Sequence, residues 1–525
     1  MVLFIVLLLP TKHHVNGDLL MGATQTTYAE GEQVNVKMNA LRSIHTQIPK
    51  GRYCVPGCVP DGGPTEHIVT FGERLVRNQV VSSSYSFQVR KDVSCATLCS
   101  RKFTQKEADQ LSWYIQHGYH YNFLLDIPPT AGMSFSYTDH KLRQYAGGLP
   151  IGFRDSAWQQ LYGGHVAAHE AFLDDNRDNK DNTEATVLPL TNTPAKTDSP
   201  TWTLLHADVF RPPSTMPVLF AVLVGTGAQL FVAVFCAIAL AFCGFVWSTR
   251  PGSILVGGLG CYVLSGPVAG FVANSLNRVF SDTDDSDNSW WSCTIMTATL
   301  FPTTVLTITV PLNAMVVSVE DAVAIPIMDI VAVVLIWSCV SIPMVCAGAT
   351  VASRTEKLSF PTATSDLIRE IPSIPWYKRS PMSMLVGGIV PFSALYVEFF
   401  FIMTAMWMDQ YYNVFGFAML VYLITCISAG LVTTMLVWIQ LRAENHRWWW
   451  FSFFAAGGTG GYIFVYSVYW FNTLDASLDT PLVYGLYFGY MFLVSLAVML
   501  IMGAIGVLAG LWFTRKIYRK METLS

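Results

Sequence analysis

Charged residues are scarce in this chain: 13% of its 525 residues are Asp, Glu, Lys or Arg, whereas 52% are hydrophobic. The formal net charge is −4 and no long Lys/Arg face is present, which excludes a nucleic-acid-binding protein. The sequence also lacks a phosphate-binding Gly-rich loop, an HExxH helix and a strand–GxSxG–helix unit. We therefore expect no enzyme, no catalytic residues and no cofactor.

Long apolar stretches fill the chain after Met216. The hydrocarbon core of a bilayer is about 30 Å thick, and a helix needs roughly 20 apolar residues to cross it, because lipid offers backbone amides no partners. A soluble protein would have to bury every one of these stretches in a single globule. The sequence predicts a polytopic α-helical membrane protein with eight spans, at 216–247, 253–275, 290–318, 322–351, 382–408, 411–441, 448–471 and 481–514.

The polar residues divide the rest of the chain into segments. An apolar run without preceding basic residues is typical of an incomplete signal peptide, and a stretch rich in Asp, Asn, Thr and Pro is typical of a linker. The predicted organisation is a signal peptide at 1–17, a strand-rich lumenal domain at 18–170, a linker and pre-span motif at 171–215, the bundle at 216–514 and a tail at 515–525.

Local patterns within 18–170 predict individual elements. Partial alternation and β-branched residues predict strands in Gly31–Ala40 and Val80–Val89. Thr104 and Glu107 form a capping box, and the apolar residues that follow have helical spacing, which predicts a helix as far as Gln116.

Four cysteines stand in this polar region as two C-x3-C pairs: Cys54, Cys58, Cys95 and Cys99. An even number in a lumenal domain favours disulfides. A four-thiolate zinc site is the alternative, because spaced thiol pairs can hold a tetrahedral metal. The other seven cysteines lie within the spans and are interpreted as small buried hydrophobic residues.

The loop charges predict the topology. Lys and Arg collect after the predicted spans four, six and eight, whereas the loops after spans three, five and seven carry no Lys or Arg and their charged residues are all acidic. Basic loops mark the cytoplasmic side, so the tail is predicted to be cytoplasmic. Eight spans would then place the segment before Met216 in the cytoplasm, although the signal-like start and paired cysteines place 18–170 in the lumen. One crossing is missing between about residues 165 and 205.

Two carboxylates fall within the spans. Glu398 lies mid-span among aromatic residues, where a charge costs roughly 2.5–3.5 kcal/mol on insertion scales. It is either a functional group for transport, proton coupling or cargo binding, or a partner in an interhelical hydrogen bond. Asp329 is a second candidate, although its place near the start of span four favours a structural role at the interface.

Small and aromatic residues also repeat within the spans. Small-x3-small spacing permits close helix packing and, alternatively, a groove for cargo helices; it occurs at Gly266 and Gly270, at Gly485 and Gly489, and at Gly506 and Gly510. Pro302, Pro311, Pro326, Pro343 and Pro391 are predicted to kink spans three to five. Trp448, Trp449 and Trp450 are interpreted as an aromatic belt at a membrane interface.

Several segments together resemble the nonaspanins, also called the transmembrane nine or endomembrane protein 70 family. They are Leu205–Pro213 (LHADVFRPP), Gly225–Leu230 (GTGAQL), Gly387–Phe392 (GGIVPF), Tyr396–Ile402 (YVEFFFI), Gln440–Glu444 (QLRAE) with the three tryptophans, and Leu486–Tyr490 (LYFGY) with Phe513–Tyr518 (FTRKIY). The resemblance covers 201–520 and extends weakly upstream.

This resemblance implies nine membrane helices, so the chain would contain spans two to nine, and the polar linker occupies the place of the first. It implies residence in Golgi or endosomal membranes and a role in sorting or surface delivery of other membrane proteins. The implied partners are the bilayer, client transmembrane proteins and coat proteins that read Lys520 and Glu522 in the tail. A transporter or channel that uses Glu398 is the alternative.

Overall fold

The structure is a computed structural model. It describes residues 31–43, 45–51, 55, 71–88, 102–121, 123–125, 129–130, 132–136, 141–145, 149–151, 208–246, 251–280, 286–319, 322–358, 360, 380–408, 412, 414–473 and 481–522.

Short strands and two helices make up the N-terminal region. The elements are β1 (Gln33–Asn39), α1 (Phe71–Leu75), β2 (Val80–Gln88), α2 (Gln105–Gln116), β3 (His120–Tyr121), β4 (Phe123–Leu125), β5 (Pro129–Thr130), β6 (Gly132–Ser136), β7 (Lys141–Tyr145) and β8 (Leu149–Pro150). A four-stranded sheet has the order β2-β1-β4-β5, and β3 with β8 and β6 with β7 form two separate pairs. The pairings given for these strands are antiparallel.

The local predictions for this region are confirmed. β1 and β2 lie within the two stretches predicted as strands and pair with each other, with a register shift between Asn35 and Lys37. The capping box of α2 is complete, because the Thr104 side chain accepts from the backbone of Glu107 and the Glu107 carboxylate accepts from the backbone of Thr104. Leu111, Tyr114 and Ile115 of α2 pack into a small core that also contains Ile151.

Long helices make up the remainder. They are α3 (Pro217–Phe242), α4 (Pro251–Leu264), α5 (Gly266–Phe280), α6 (Ser286–Val317), α7 (Ile327–Ile336), α8 (Ile342–Arg354), α9 (Ser380–Trp407), α10 (Phe415–Arg442), α11 (Trp448–Thr473) and α12 (Pro481–Glu522). α4 and α5 together form one crossing, as do α7 and α8, which a π-helical turn at Trp337–Ser341 joins.

These helices form the bundle of a polytopic membrane protein. Seven helical segments of the described chain are long and apolar enough to cross a membrane. They correspond to the predicted spans one to six and eight. The predicted span seven is the helix α11, which is 26 residues long but contains four glycines among its polar and aromatic residues. α11 packs against α9, α10 and α12, so it is an integral part of the same bundle.

Glycine permits the closest helix contacts. α3 is the most enclosed of the seven apolar spans, with 61% of its most apolar stretch buried. A methyl group at Gly227 of α3 would overlap the backbone carbonyl of Leu500 in α12, and one at Gly270 of α5 would overlap that of Val345 in α8. Because the backbones approach this closely, dispersion contacts hold the helices together. The hydrophobic effect contributes little to this association, because lipid tails are as apolar as the helix surfaces.

Proline has two different roles here. Pro302, Pro311 and Pro391 lie inside α6 and α9. Pro302 cannot donate to the carbonyl of Ala298, and that carbonyl instead accepts from the indole of Trp337 at 3.0 Å. The prediction that Pro326 kinks span four is wrong, because α7 begins only after Pro326, where the missing N–H costs nothing.

The bundle has two ends with different partners. The sheet end comprises the starts of α4, α7 and α12 and the ends of α6 and α9; there Val323 donates its backbone N–H to the carbonyl of Pro49. The tryptophan end comprises the starts of α3 and α11 and the ends of α5, α8, α10 and α12; there Trp448 donates to the carbonyl of Val209. The N-terminal sheet region thus contacts one end, and the segment that leads into α3 contacts the other.

The conflict in the predicted topology therefore has a structural counterpart. α3 is 26 residues long, which corresponds to about 39 Å. Ile151 packs in the N-terminal core and Asp208 lies at the tryptophan end. These two described residues therefore lie toward opposite ends of the bundle, and the predicted missing crossing falls between them in the sequence.

The glycine contacts can be tested by adding side chains. We expect Gly270→Val to destabilise the protein by about 1–3 kcal/mol, because the new side chain must displace the backbone of α8. The control is Gly258→Val in α4, where a Cβ meets no atom within 4 Å. The measurement is the thermal unfolding temperature of both variants in detergent. Equal unfolding temperatures for the two variants would show that α5 and α8 are not in backbone contact at Gly270.

Candidate functional site

The candidate site is centred on Glu398 in α9. Its side chain is buried, with 2% of the residue exposed. Oε1 accepts a hydrogen bond from the hydroxyl of Tyr412, which lies in the connection between α9 and α10. No hydrogen-bond partner for Oε2 is found among the described residues.

The helix position explains this burial. Phe399, Met403 and Trp407 pack against α11 and α12 in one apolar cluster. Val397 and Phe401 are exposed on another side of α9. Glu398 is enclosed, roughly 14 Å along the helix from Trp407 at the sheet end. The mid-span location predicted for this carboxylate is thus what the structure shows.

A contact from the N-terminal region reaches the same end of α9. Gln47 donates its side-chain amide to the backbone carbonyl of Trp407 at 2.7 Å. That carbonyl belongs to the last turn of α9, where the helix itself leaves carbonyl groups without intrahelical partners. The neighbouring Ile48 packs among Leu312, Val316 and Leu486. The N-terminal region therefore contacts the helix that carries Glu398.

Asp329 has an entirely different environment. It lies in the first turn of α7 and is buried. Arg74 of α1 binds both carboxylate oxygens, at 2.8 Å from Nε and 2.9 Å from Nη2. The two-point geometry is the strong form of this ion pair. Asp329 thus joins the N-terminal region to the start of α7, as its predicted structural role at the interface requires.

Further contacts of α1 support this attachment. A methyl group at Gly72 would overlap the backbone of Gly252 at the start of α4. The backbone N–H of Gly252 donates to the carboxylate of Glu73 at 3.3 Å, and the same carboxylate accepts from Asn78 at 2.7 Å. α1 is therefore in contact with two spans through backbone, polar and charged groups.

The interpretation of the three tryptophans as an aromatic belt is wrong for the first two. Trp448 and Trp449 are buried, with 0% and 2% exposed. All three indole N–H groups donate to backbone carbonyls of the segment before α3: Trp448 to Val209 at 2.7 Å, Trp449 to Arg211 at 2.9 Å and Trp450 to Thr215 at 2.9 Å. Trp448 and Trp449 thus bind this segment instead of anchoring to lipid headgroups.

Charged and aromatic groups complete the tryptophan end. Asp208 and Arg211 form an ion pair at 2.7 Å, and Phe210 stacks on Phe360 with 4.5 Å between the ring centres. His446 is buried nearby, with no hydrogen-bond partner for Nδ1 among the described residues. Burial lowers the pKa of His446; the carboxylate of Asp208 opposes this effect, and the charge of Arg447 adds to it.

All six glycines predicted for packing or cargo binding face other helices of this chain. A Cβ at Gly266 would lie 3.2 Å from Met344, and Gly270 faces Val345 as described above. Gly485 and Gly489 face Leu312, Gly506 faces Ala456, and Gly510 faces Trp448. These positions are occupied by intramolecular packing, the first of the two alternatives that the spacing offers.

Other predicted residues lie outside the description of the structure. Cys54, Cys58, Cys95 and Cys99 are not among the described residues, so the disulfide and zinc alternatives stay predictions. The residues that are described contain no group of three His, Cys, Asp or Glu side chains able to hold a metal. The backbone of Lys520 and Glu522 is described and belongs to α12, which runs helically as far as Glu522.

The sequence pointed to Glu398 and Asp329 because charges within apolar spans are conspicuous. It gave no signal for Tyr412, which lies just before α10 within the predicted span six, or for Arg74, which is 255 residues from Asp329 in the chain. A multispan helical membrane protein with an attached N-terminal sheet region and a buried intramembrane carboxylate is the class that these observations define.

Within that class the family is established by comparison with known proteins. The family model for endomembrane protein 70 matches residues 52–184 and 169–479. The chain belongs to this family of integral membrane proteins, as the resemblance of its motifs predicted. No solved structure matches the chain significantly.

Named relatives agree with this assignment. Transmembrane 9 superfamily member 10 of Arabidopsis thaliana is 27% identical, over 99% of this chain and 98% of its own length. Putative phagocytic receptor 1a of Dictyostelium discoideum is 25% identical, over 99% of both chains. Transmembrane 9 superfamily member 4 of Homo sapiens is 35% identical over 61% of this chain, a match that spans 49% of the human protein. None of these names is that of an enzyme.

The lengths of these matches bear on the missing crossing. The alignment with the Arabidopsis protein runs over 638 positions, whereas this chain has 525 residues. The relative therefore has stretches without counterpart here.

The ion pair between Arg74 and Asp329 can be tested by neutralising each partner. We expect Arg74→Gln to weaken the attachment of α1 by about 1 kcal/mol, since Asp329 is left buried without a cation while Arg74 is itself 40% exposed. The measurement is hydrogen exchange of Phe71–Leu75. The double variant with Asp329→Asn should exchange more slowly than Arg74→Gln alone, because the amide is less costly to bury than a charge. If the effects of Arg74→Gln and Asp329→Asn on exchange simply add in the double variant, the two residues do not form a direct ion pair.

The lowered pKa of His446 predicts a pH dependence at the tryptophan end. Below the ordinary His pKa of about 6.5, His446 takes up a proton when the segment before α3 detaches, and it does not bind this proton in the docked state. Docking should therefore be strongest at neutral pH and weaken as the pH falls through this value. The measurement is hydrogen exchange of Asp208–Phe210, corrected for its intrinsic pH dependence. His446→Gln should flatten the profile, and an unchanged profile would assign it to another group.

Proposed function

We propose that this protein is an endomembrane protein of Golgi or endosomal membranes that acts in sorting, trafficking or surface delivery of other membrane proteins. The clients are recognised through contacts between their transmembrane helices and the outer face of the bundle. The sheet end faces the lumen. The tryptophan end and the tail face the cytoplasm, where Lys520 and Glu522 are read by coat proteins.

The observation that carries this proposal is the large outer surface of two crossings. Only 17% of the most apolar stretch of Trp290–Val317 and 11% of that of Ile327–Arg354 are buried, against 61% for α3. Ile327 and Met328 are 77% and 78% exposed. α6 and the α7–α8 pair thus offer a long apolar face to other helices in the membrane.

Hydroxyl groups run along the outer face of α6. Thr299, Thr303 and Thr307 each donate to the carbonyl four residues earlier, at 2.7–2.8 Å. Their polarity is therefore satisfied within the helix, and their small side chains allow another helix to approach. Small and hydroxyl-bearing residues at a helix surface are the kind that membrane helices use to associate. The six glycines are already packed against other helices of the bundle. The outer face of α6 is therefore a better candidate for binding client helices.

The orientation rests on the distribution of basic residues. Arg278, Arg354, Arg442, Arg447 and Arg515 all lie at the tryptophan end. Basic residues near the ends of spans favour the cytoplasmic side. α12 continues to Glu522, so the proposed coat signal extends from the same end.

The outer face of α6 can be tested with a bulky substitution. Thr307→Trp should reduce surface delivery of client membrane proteins, because the ring would keep a second helix from approaching α6. The control is Thr434→Trp in α10, a threonine that also donates to the carbonyl four residues earlier, on another side of the bundle. The readout is the surface proteome of cells that express each variant at equal level. Equal loss with both variants, or loss with neither, would refute recognition through α6.

A transporter or channel is the second candidate, favoured by the burial of Glu398. Replacement of Glu398 by Gln keeps the shape of the side chain and removes its charge and its acidic proton. Ion or solute flux and client delivery are then followed in the same cells. Loss of flux with intact delivery supports transport, and loss of delivery alone supports a sorting role for this residue.

A further inference from the structure

Glu398 is surrounded by helices without a counter-ion. It is the only charged residue of α9, and α11 has none. α10 has a single charge, Arg442, in its last turn at the opposite end of the bundle. In α12 the first charged residue is Arg515, also at that end.

The other titratable side chains described on these neighbouring helices are weak acids. They are Tyr396 on α9, Tyr422 and Cys426 on α10, Tyr462, Tyr466 and Tyr469 on α11, and Tyr484, Tyr487 and Tyr490 on the sheet-end half of α12. None of them is a cation at any pH. From the N-terminal region, the buried Arg77 reaches α12, where its Nη2 lies 3.5 Å from the hydroxyl of Tyr490. Among the described side chains, no cation forms a hydrogen bond or ion pair with Glu398.

Asp329 shows how the same protein accommodates a buried carboxylate that has a cation beside it. It too is buried within a crossing, and Arg74 supplies two charge-assisted hydrogen bonds. Removing a charge from water costs several kcal/mol, which only a paired cation or a shared set of donors offsets. Asp329 has that pair, whereas Glu398 has a single phenol.

The hydrogen bonds of Tyr412 suggest how Glu398 avoids this cost. The Tyr412 hydroxyl contacts Glu398 Oε1 and lies 3.0 Å from the backbone carbonyl of Val414. A phenol has one proton and can also accept. If Glu398 is neutral, its O–H donates to Tyr412 and Tyr412 donates to Val414, so each proton has an acceptor. If Glu398 is ionised, Tyr412 must turn to it, and Oε2 remains a buried charged oxygen without a donor.

We propose that Glu398 is a proton-binding site, occupied in the resting protein, and that Tyr412 links it to the sheet end through Val414. The ligand is the hydrogen ion. Val414 also accepts from the backbone N–H groups of Phe417 and Ala418 at the start of α10. Loss of the proton would create a charge that the surrounding helices do not compensate, so proton release is coupled to movement of the Tyr412 side chain or to entry of a cation. The proposal deepens the second candidate function at the same residue, and it holds whether or not flux is found.

The protonated form can be detected by its chemistry with an apolar carbodiimide. The carboxyl oxygen bonds to the central carbon of the carbodiimide, the acid proton moves to a nitrogen, and the resulting O-acylisourea rearranges to a stable N-acylurea. An ionised carboxylate has no proton to give. Full-length protein in lipid nanodiscs is treated with dicyclohexylcarbodiimide over a range of pH, and the label is located by peptide mass spectrometry.

We expect Glu398 to be labelled at neutral pH, the label to fall several-fold at alkaline pH, and Glu398→Gln to lose it. Asp329 is the internal control: it should stay unlabelled in the natural protein and become labelled in Arg74→Gln, which also shows that the reagent enters the bundle. Labelling of Asp329 in that variant without labelling of Glu398 would overturn the proposal.

Infrared difference spectroscopy gives a second measurement that needs no reagent. The carboxylic C=O band of Glu398 should be present at neutral pH, be absent from Glu398→Gln, and shift in Tyr412→Phe, where the acid loses its acceptor. A carboxylate band in its place would overturn the proposal even if flux were observed. Absence of flux with the acid band present would leave the proton site standing and reject the transporter.

Discussion

The absence of water in the hydrocarbon core is the constraint on which this structure depends. Each polar group placed there must find its partner within the protein. The threonines of α6 donate to carbonyls of their own helix. The carbonyl left without an amide by Pro302 accepts from Trp337. The same demand separates the two intramembrane carboxylates, one of which has a guanidinium and the other only a phenol.

The two ends of the bundle are fastened by different chemistry. At the sheet end, charged and polar groups of α1 reach α4 and α7, and Gln47 reaches the last turn of α9. At the tryptophan end, three indoles bind three carbonyls of the segment that leads into α3. The N-terminal region thus contacts the same helices that carry Glu398 and Asp329.

Much of the architecture could be predicted from the sequence, because strong local signals agree with the fold. Apolar length identified the crossings, and the capping box of Thr104 identified α2. Pro326 was misjudged because a proline before a helix and one inside it look alike until the first helical residue is known. The tryptophans were misjudged because an indole at a span end suits both a lipid interface and a buried carbonyl. Tyr412 and Arg74 carried no local signal at all.

The sequence by itself determined that this is a membrane protein of the endomembrane protein 70 family, with carboxylates at two intramembrane positions, because hydrophobic length and charge are properties of the residues themselves. Tertiary structure alone decided that Asp329 meets Arg74, that Glu398 meets Tyr412, and that the N-terminal region and the pre-span segment occupy opposite ends. Arg74 and Asp329 are 255 residues apart in the chain. Partners so distant are chosen by how the helices pack, and no local pattern encodes that choice.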